Sequence, residues 1–249
     1  MAFQDHFSGH ADAYREARPT YPETLYDWLA GVAPMRELAW DAGCGNGQAS
    51  VALARRFARV FASDPSARQI ANAEARSNID YRVEAAEQCS LPDDCAGLVT
   101  VAQALHWFDH ARFHAEVRRV LRSGGVFAAW GYSDCRIAPE IDALKDRLYV
   151  ELTGPYWPPE RALLDAGYRT LAFPFDEIAA PPFDMSVQWN LDRFLAYLRS
   201  WSATQRYRRD RGEDPVSLVE PGLRAAWGDA ATVRTVRWDF HLRAGRCAR

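Results

Sequence analysis

Short apolar runs alternate with amphipathic stretches through the first half of the chain. The runs at 37–40, 59–64 (RVFASD), 79–85 (IDYRVEA), 97–105 (GLVTVAQAL) and 124–132 (GGVFAAWGY) predict five strands. The fourth is apolar enough to be buried on both faces. The stretches around them predict helices. Residues 22–32 begin with Pro22 in the first turn and Glu23 beside it, both favourable at a helix start. Residues 47–58 are rich in alanine and arginine, and 65–76 carry an early proline. Residues 110–121 follow Asp109 as N-cap and place Phe113, Val117, Val120 and Leu121 at three- and four-residue spacing. Strand and helix in alternation imply a parallel sheet with right-handed crossovers.

The pattern then changes. Residues 137–152 read as a helix, 169–175 (RTLAFPF) as a strand, and 232–242 as a strand whose apolar content is Val233, Val236, Trp238 and Phe240. Between these two strands, residues 176–231 are dense in aromatics and arginines and far longer than a hairpin loop requires. The expected architecture is a single α/β domain with a mostly parallel, doubly wound sheet. Residues 1–22 form an N-terminal arm, 23–132 the core, and 176–231 a helical, aromatic cap between the last two strands.

Composition narrows the function classes. The chain has 249 residues, 48% hydrophobic and 25% charged, with a net charge of −3, which gives no general attraction to nucleic acid or to an anionic membrane. Its five cysteines are odd in number and without zinc-type pairing, and no run reaches the length of a membrane span, so a reduced, cytoplasmic protein is expected. The basic cluster QRYRRDRGED is followed at once by acids, and a solvated helix end explains it better than an RNA-binding surface.

Candidate chemistry concentrates at Trp40–Ser50, WDAGCGNGQAS. A strand, a turn with glycines at 43, 45 and 47, and a helix place backbone N–H groups and a positive helix end at the carboxyl edge of the sheet. A P-loop would need a Lys-Ser or Lys-Thr that is absent, and the dinucleotide fingerprint would need glycine where Gln48 stands. A tight turn with no ligand stays open. Asp64, at the end of the second strand, is placed to accept hydrogen bonds from ribose hydroxyls or to N-cap the next helix. A nucleoside ligand without a pyrophosphate satisfies both features.

Here the chain resembles the class I S-adenosylmethionine-dependent methyltransferases. WDAGCGNGQAS resembles their first motif, VFASD the ribose-binding strand, VEAAEQCSLPDD the segment passing the adenine, LVTVAQALHWFD the motif after strand four, and EVRRVLRSGGVFAAW the closing helix and strand. The segments YREARPTYP, AQALHWF and YWPPE resemble the type 11, trans-aconitate methyltransferase-like group of small-molecule enzymes. The resemblance implies a Rossmann-like, seven-stranded sheet and S-adenosylmethionine as cofactor. Its binding set would be Tyr14, Arg18, Asp41, Gly43, Cys44, Gly45, Gly47, Asp64, Pro65, Ala86, Glu87, Gln103, Ala104 and Leu105. His106 is the only nearby candidate base and, with Trp107, would face the acceptor. Trp130, Tyr132, Trp157, Trp189 and Trp201 are candidates for the acceptor's walls, although aromatics this dense are as readily core. The acceptor is expected to be a small molecule, a carboxylate foremost, with Arg18, Arg193 or Arg199 supplying a planar fork. No nucleic acid, membrane partner or metal is expected. His106, His110 and His114 do not share one helix, and Cys44 reads as a small residue in a crowded turn. A non-catalytic cofactor-binding protein and a nicotinamide-dependent oxidoreductase are the alternatives.

Overall fold

The structure, a computed structural model, describes residues 18–248. Five strands run parallel: β1 (Leu38–Ala42), β2 (Arg59–Asp64), β3 (Ile79–Val83), β4 (Ala96–Ala102) and the long β5 (Leu121–Arg136). β8 (Arg234–Arg246) lies antiparallel to β5. The outer edge of β8 carries β6 (Asp176–Glu177) towards its end and β7 (Met185–Trp189) towards its start. The order is β3-β2-β1-β4-β5-β8-β6, with β7 also paired to β8. Strand order therefore reverses between β1 and β4, the crevice where ligands settle in open sheets of this kind.

Helices α1 (Glu23–Val32), α2 (Gln48–Leu53), α3 (Ala67–Ala71) and α4 (His110–Val120) wrap the parallel half. Asp109 caps α4 as expected, accepting from the Arg112 N–H. Residues 137–152 form α5 (Pro139–Asp146) and then a π-helical turn, Arg147–Leu152. α6 (Arg161–Asp165) follows. The late segment supplies α7 (Leu191–Arg199), α8 (Ser202–Arg211) and α9 (Glu220–Trp227).

Side chains of β5 alternate between two cores. Val126, Ala128, Trp130 and Tyr132 join α1, α2 and the late helices on one face. Phe127 and Ala129 join Trp40, Phe113, Val117 and Phe175 on the other.

Two expectations are corrected. The sheet has eight strands, not seven. Residues 169–175 form turns, because Pro174 has no N–H to offer a ladder and Phe173 and Phe175 stack on Phe127. The strands that pair with the outer edge of β8, β6 and β7, lie inside 176–231. Within that segment Leu191, Phe194, Leu198, Val216 and Leu223 share one core with Leu25 and Leu29 of α1.

Candidate cofactor and acceptor site

The glycine turn connects β1 to α2 at the reversal point. Gly43, Gly45 and Gly47 all have positive φ, at 67°, 55° and 83°. At Gly43 a Cβ would lie 2.8 Å from the Phe108 ring and 2.9 Å from Ala104, and at Gly47 it would collide with the Tyr81 hydroxyl, so both positions demand glycine. The N–H groups of Gly43 and Cys44 both donate to the Ser63 carbonyl, at 2.8 and 3.0 Å. At Gly45 a Cβ would meet Gln69 Oε1 at 4.0 Å, an ordinary contact. Burial raises the Cys44 thiol well above its ordinary pKa, so it stays protonated.

Asp41 is wholly buried beneath the turn. Its Oδ2 accepts from the Ser50 hydroxyl at 2.6 Å and its Oδ1 from the Thr100 hydroxyl at 3.1 Å. Burial pushes its pKa up to about 6 against those two hydrogen bonds, with the Asp64 charge adding to the rise. Asp64 ends β2 with Oδ2 accepting from the Gly45 N–H at 2.9 Å and Oδ1 from the Ser66 N–H at 2.8 Å. The N-cap of α3 is Ser66, which accepts from Gln69, so capping is not Asp64's task. Pro65 follows Asp64 directly. Ala86 is buried, and Glu87 accepts from the Asp109 N–H at 2.9 Å.

At the end of β4, Gln103 takes a left-handed backbone with φ 60°. Its side chain pairs with the backbone of Tyr132 in both directions, Nε2 donating to the carbonyl at 2.9 Å and Oε1 accepting from the N–H at 2.8 Å. This clamp extends the β4–β5 pairing by one residue and holds the strained corner. Ala104 leads into a 3-10 turn, Leu105–Trp107. His106 is buried there, its Nδ1 3.1 Å from the Tyr168 hydroxyl and its ring 4.7 Å from that of Trp107. Burial, then the charge of Arg161, lowers its pKa to about 3.

The aromatics pack in adjoining groups that share Tyr197. Trp130 lies in the core edge-on to Tyr21 and Tyr26, and Trp189 lies there against Trp238 and Tyr197. Trp157 and Trp201 instead join Tyr149 and Tyr197 in a continuous aromatic group, with ring centroids 4.8 to 5.7 Å apart. Tyr149 projects from the π-helical turn, a distortion frequent at functional sites. Arg161 lies over Trp157 at 4.9 Å, and α6 packs on both β5 and the 3-10 turn that carries His106.

The arginines expected at an anion are otherwise engaged. Arg18 donates to the Tyr132 hydroxyl at 3.3 Å and the Ser200 carbonyl at 3.1 Å, and lies over the Tyr197 ring. Arg199 bridges Asp214 and Glu220, and Arg193 lies over Trp189. Tyr14 falls outside the described residues. His110 bonds the Leu105 carbonyl, and among the described residues no group of three or more His, Cys, Asp or Glu could hold a metal ion. Among those residues no helix is long and apolar enough to cross a membrane.

Sequence reading missed Ser50, Thr100, Tyr149, Arg161 and Tyr168. Thr100 carried a signal, as a lone hydroxyl in the middle of an apolar strand. The others are joined only by the fold.

Comparison with known proteins agrees with this geometry. A family profile described as a methyltransferase domain matches residues 40–129. A protein of Dictyostelium discoideum, named provisionally as a methyltransferase, is 34% identical over 90% of this chain and 87% of its own length. An uncharacterised methyltransferase of Mycobacterium tuberculosis is 37% identical over 62% of this chain and 67% of its own. A solved structure from Anaeromyxobacter dehalogenans, described provisionally as a type II methyltransferase, superposes with a TM-score of 0.87 at 48% identity, covering 93% of this chain and 98% of that one.

Proposed function

The chain belongs to the class I S-adenosylmethionine-dependent methyltransferases, and on that premise we propose that it methylates a small-molecule acceptor, a carboxylic acid foremost. The observation that carries the acceptor reading is the aromatic group Tyr149, Trp157, Tyr197 and Trp201, joined through Arg161 to α6, which packs on the turn that carries His106. Apolar, flat walls of this kind suit a small organic molecule, with one or two polar groups to orient it.

The turn suits the cofactor, because a side chain at Gly45 would meet little besides Gln69 Oε1 at 4.0 Å and Asp64 sits at the end of the neighbouring strand. Gly43, Cys44, Gly45 and Gly47 would hold the methionyl part, with Asp41 serving its ammonium from below. Asp64 and Pro65 would hold the ribose, Ala86 and Glu87 would border the adenine, and the backbone of Gln103, Ala104 and Leu105 would line the methionine side. Bound there, S-adenosylmethionine supplies an electrophilic methyl group on a sulfonium. The protein's part is to orient the acceptor in line with that methyl and to exclude water.

His106 favours an acid as acceptor. With a pKa of about 3 it is neutral at pH 7 and too weak a base to take a proton from a hydroxyl or ammonium group. A carboxylic acid is already ionised at that pH and needs no base. His106 and Trp107 then act by shape and hydrogen bonding.

A labelled-methyl screen over small acids, phenols, amines and RNA tests this reading. Base-labile label on an acid is the expected result. Label on RNA alone would refute it.

A further inference from the structure

Arg161 is a cation in an apolar setting. Its side chain is 14% exposed and lies over the Trp157 ring at 4.9 Å and the Tyr149 ring at 5.9 Å. Asp165, one helical turn on, accepts from Nε at 2.9 Å. Asp165 is itself 41% exposed and also accepts from the Tyr149 hydroxyl at 3.2 Å, so it is a shared and partly solvated counter-charge. Asp165 engages Nε and not the two terminal nitrogens of the guanidinium. Those nitrogens are the half of the fork that grips a carboxylate in bidentate fashion.

The position gives the arrangement its meaning. Arg161 begins α6, which packs on the 3-10 turn at the end of β4, and its charge is felt at both His106 and Tyr168. The flat aromatic group lies on one side and the neutral His106–Tyr168 pair on another. Other arginines near this edge are committed, Arg18 to Tyr132 and Ser200 and Arg199 to two acids.

We propose that Arg161 is the residue that anchors the acceptor, its terminal nitrogens holding a carboxylate while Trp157 and Trp201 flank the acceptor's body. The proposal rests on the reading of this site as the acceptor pocket of a methyltransferase, and it names the residue that selects an anion there. An acceptor with one carboxylate held by Arg161 and a second presented to the methyl group would use both. A single flat acid would bind as an inhibitor.

The test is calorimetric binding of benzoate, cinnamate and succinate to the full chain saturated with S-adenosylhomocysteine, for the native protein, Arg161→Gln and Arg161→Lys. The affinity for S-adenosylhomocysteine itself reports whether each variant has folded. The expected result is unchanged S-adenosylhomocysteine binding, a roughly 10- to 100-fold loss of acid affinity in Arg161→Gln, and only partial rescue by lysine, which has the charge without the fork. Equal acid binding by the native chain and Arg161→Gln would overturn the anchor while leaving acid methylation intact. Acid binding that depends on Arg161, with no methyl transfer to any dicarboxylate, would support the anchor and overturn acid methylation. No binding of any acid to the native chain would overturn both.

Discussion

Asp64 carries its charge with both oxygens already engaged by backbone N–H groups, those of Gly45 and Ser66. Its position is thereby set before any ligand arrives, and in the proposed role it would present a ribose hydroxyl with an acceptor at fixed height. Asp64→Asn keeps the size and removes the charge. Calorimetry with S-adenosylhomocysteine is expected to show a loss of roughly 10- to 100-fold in affinity, the worth of hydrogen bonds to a charged group. An unchanged affinity would leave Asp64 as a brace for the turn alone. The residues that could be read from sequence are those whose meaning is local. Gly43, Gly45 and Gly47 sit in one short turn whose positive φ angles restrict what they can be, and Asp64 ends the next strand at a spacing that motif reading can recognise. Arg161 could not be read this way, since Tyr149, Trp157, Tyr168 and Tyr197 surround it only after three elements have packed.

At the scale of elements, strands β1 to β5 were legible because each holds an apolar run, and all but β3 are followed by a helix or helical turn. The later elements were not. Residues 169–175 and 185–189 are both short and apolar, and only tertiary packing decides that the first becomes an aromatic plug under β5 and the second a strand beside β8. The tryptophans show the same limit. Composition cannot tell Trp189, packed on Trp238, from Trp157, stacked beneath a cation. Arg18 joins elements far apart in sequence, from the segment before α1 to Tyr132 on β5 and Ser200 at the end of α7. Arg18→Ala is expected to speed amide hydrogen exchange at 197–201 and to leave β1 and β4 unchanged. Exchange that rises equally across the sheet would mean global destabilisation, and no change at 197–201 would mean that the bridge does not hold the late helices.

The whole molecule should weaken in mild acid. Burial lowers the pKa of His106 to about 3 and of His114 to about 4, against roughly 6.5 unfolded. The unfolded chain therefore binds more protons below about pH 6.5, and stability falls as pH drops from there towards 4. Asp41 has the opposite sign. Its folded pKa of about 6 exceeds the unfolded value of about 3.9, so between those limits acidification favours the fold and offsets one of the two histidines. His114 sits among Phe113, Phe127 and Phe175 with its Nε2 unpartnered among the described residues. His114→Leu is expected to reduce the drop in urea midpoint between pH 7 and pH 5. An identical drop would place the acid sensitivity elsewhere.

The length of β5 has a mechanical consequence. One unbroken strand runs from Ala96's partner Leu121, beside the glycine turn's half of the sheet, to Arg136, beside β8 and the late helices. If cofactor and acceptor lie as proposed, its register helps to set the spacing between them. One inserted residue would advance everything beyond it by about 3.3 Å and turn each following side chain to the opposite core. Methyl donor and recipient would then miss each other by more than an in-line displacement tolerates. Between Tyr132 and Cys135 the pairing with β8 already carries an irregularity, so any slack available there has been used. Changes of chain length can be absorbed at the 169–175 turns, whereas along β5 they disconnect the two halves of the reaction.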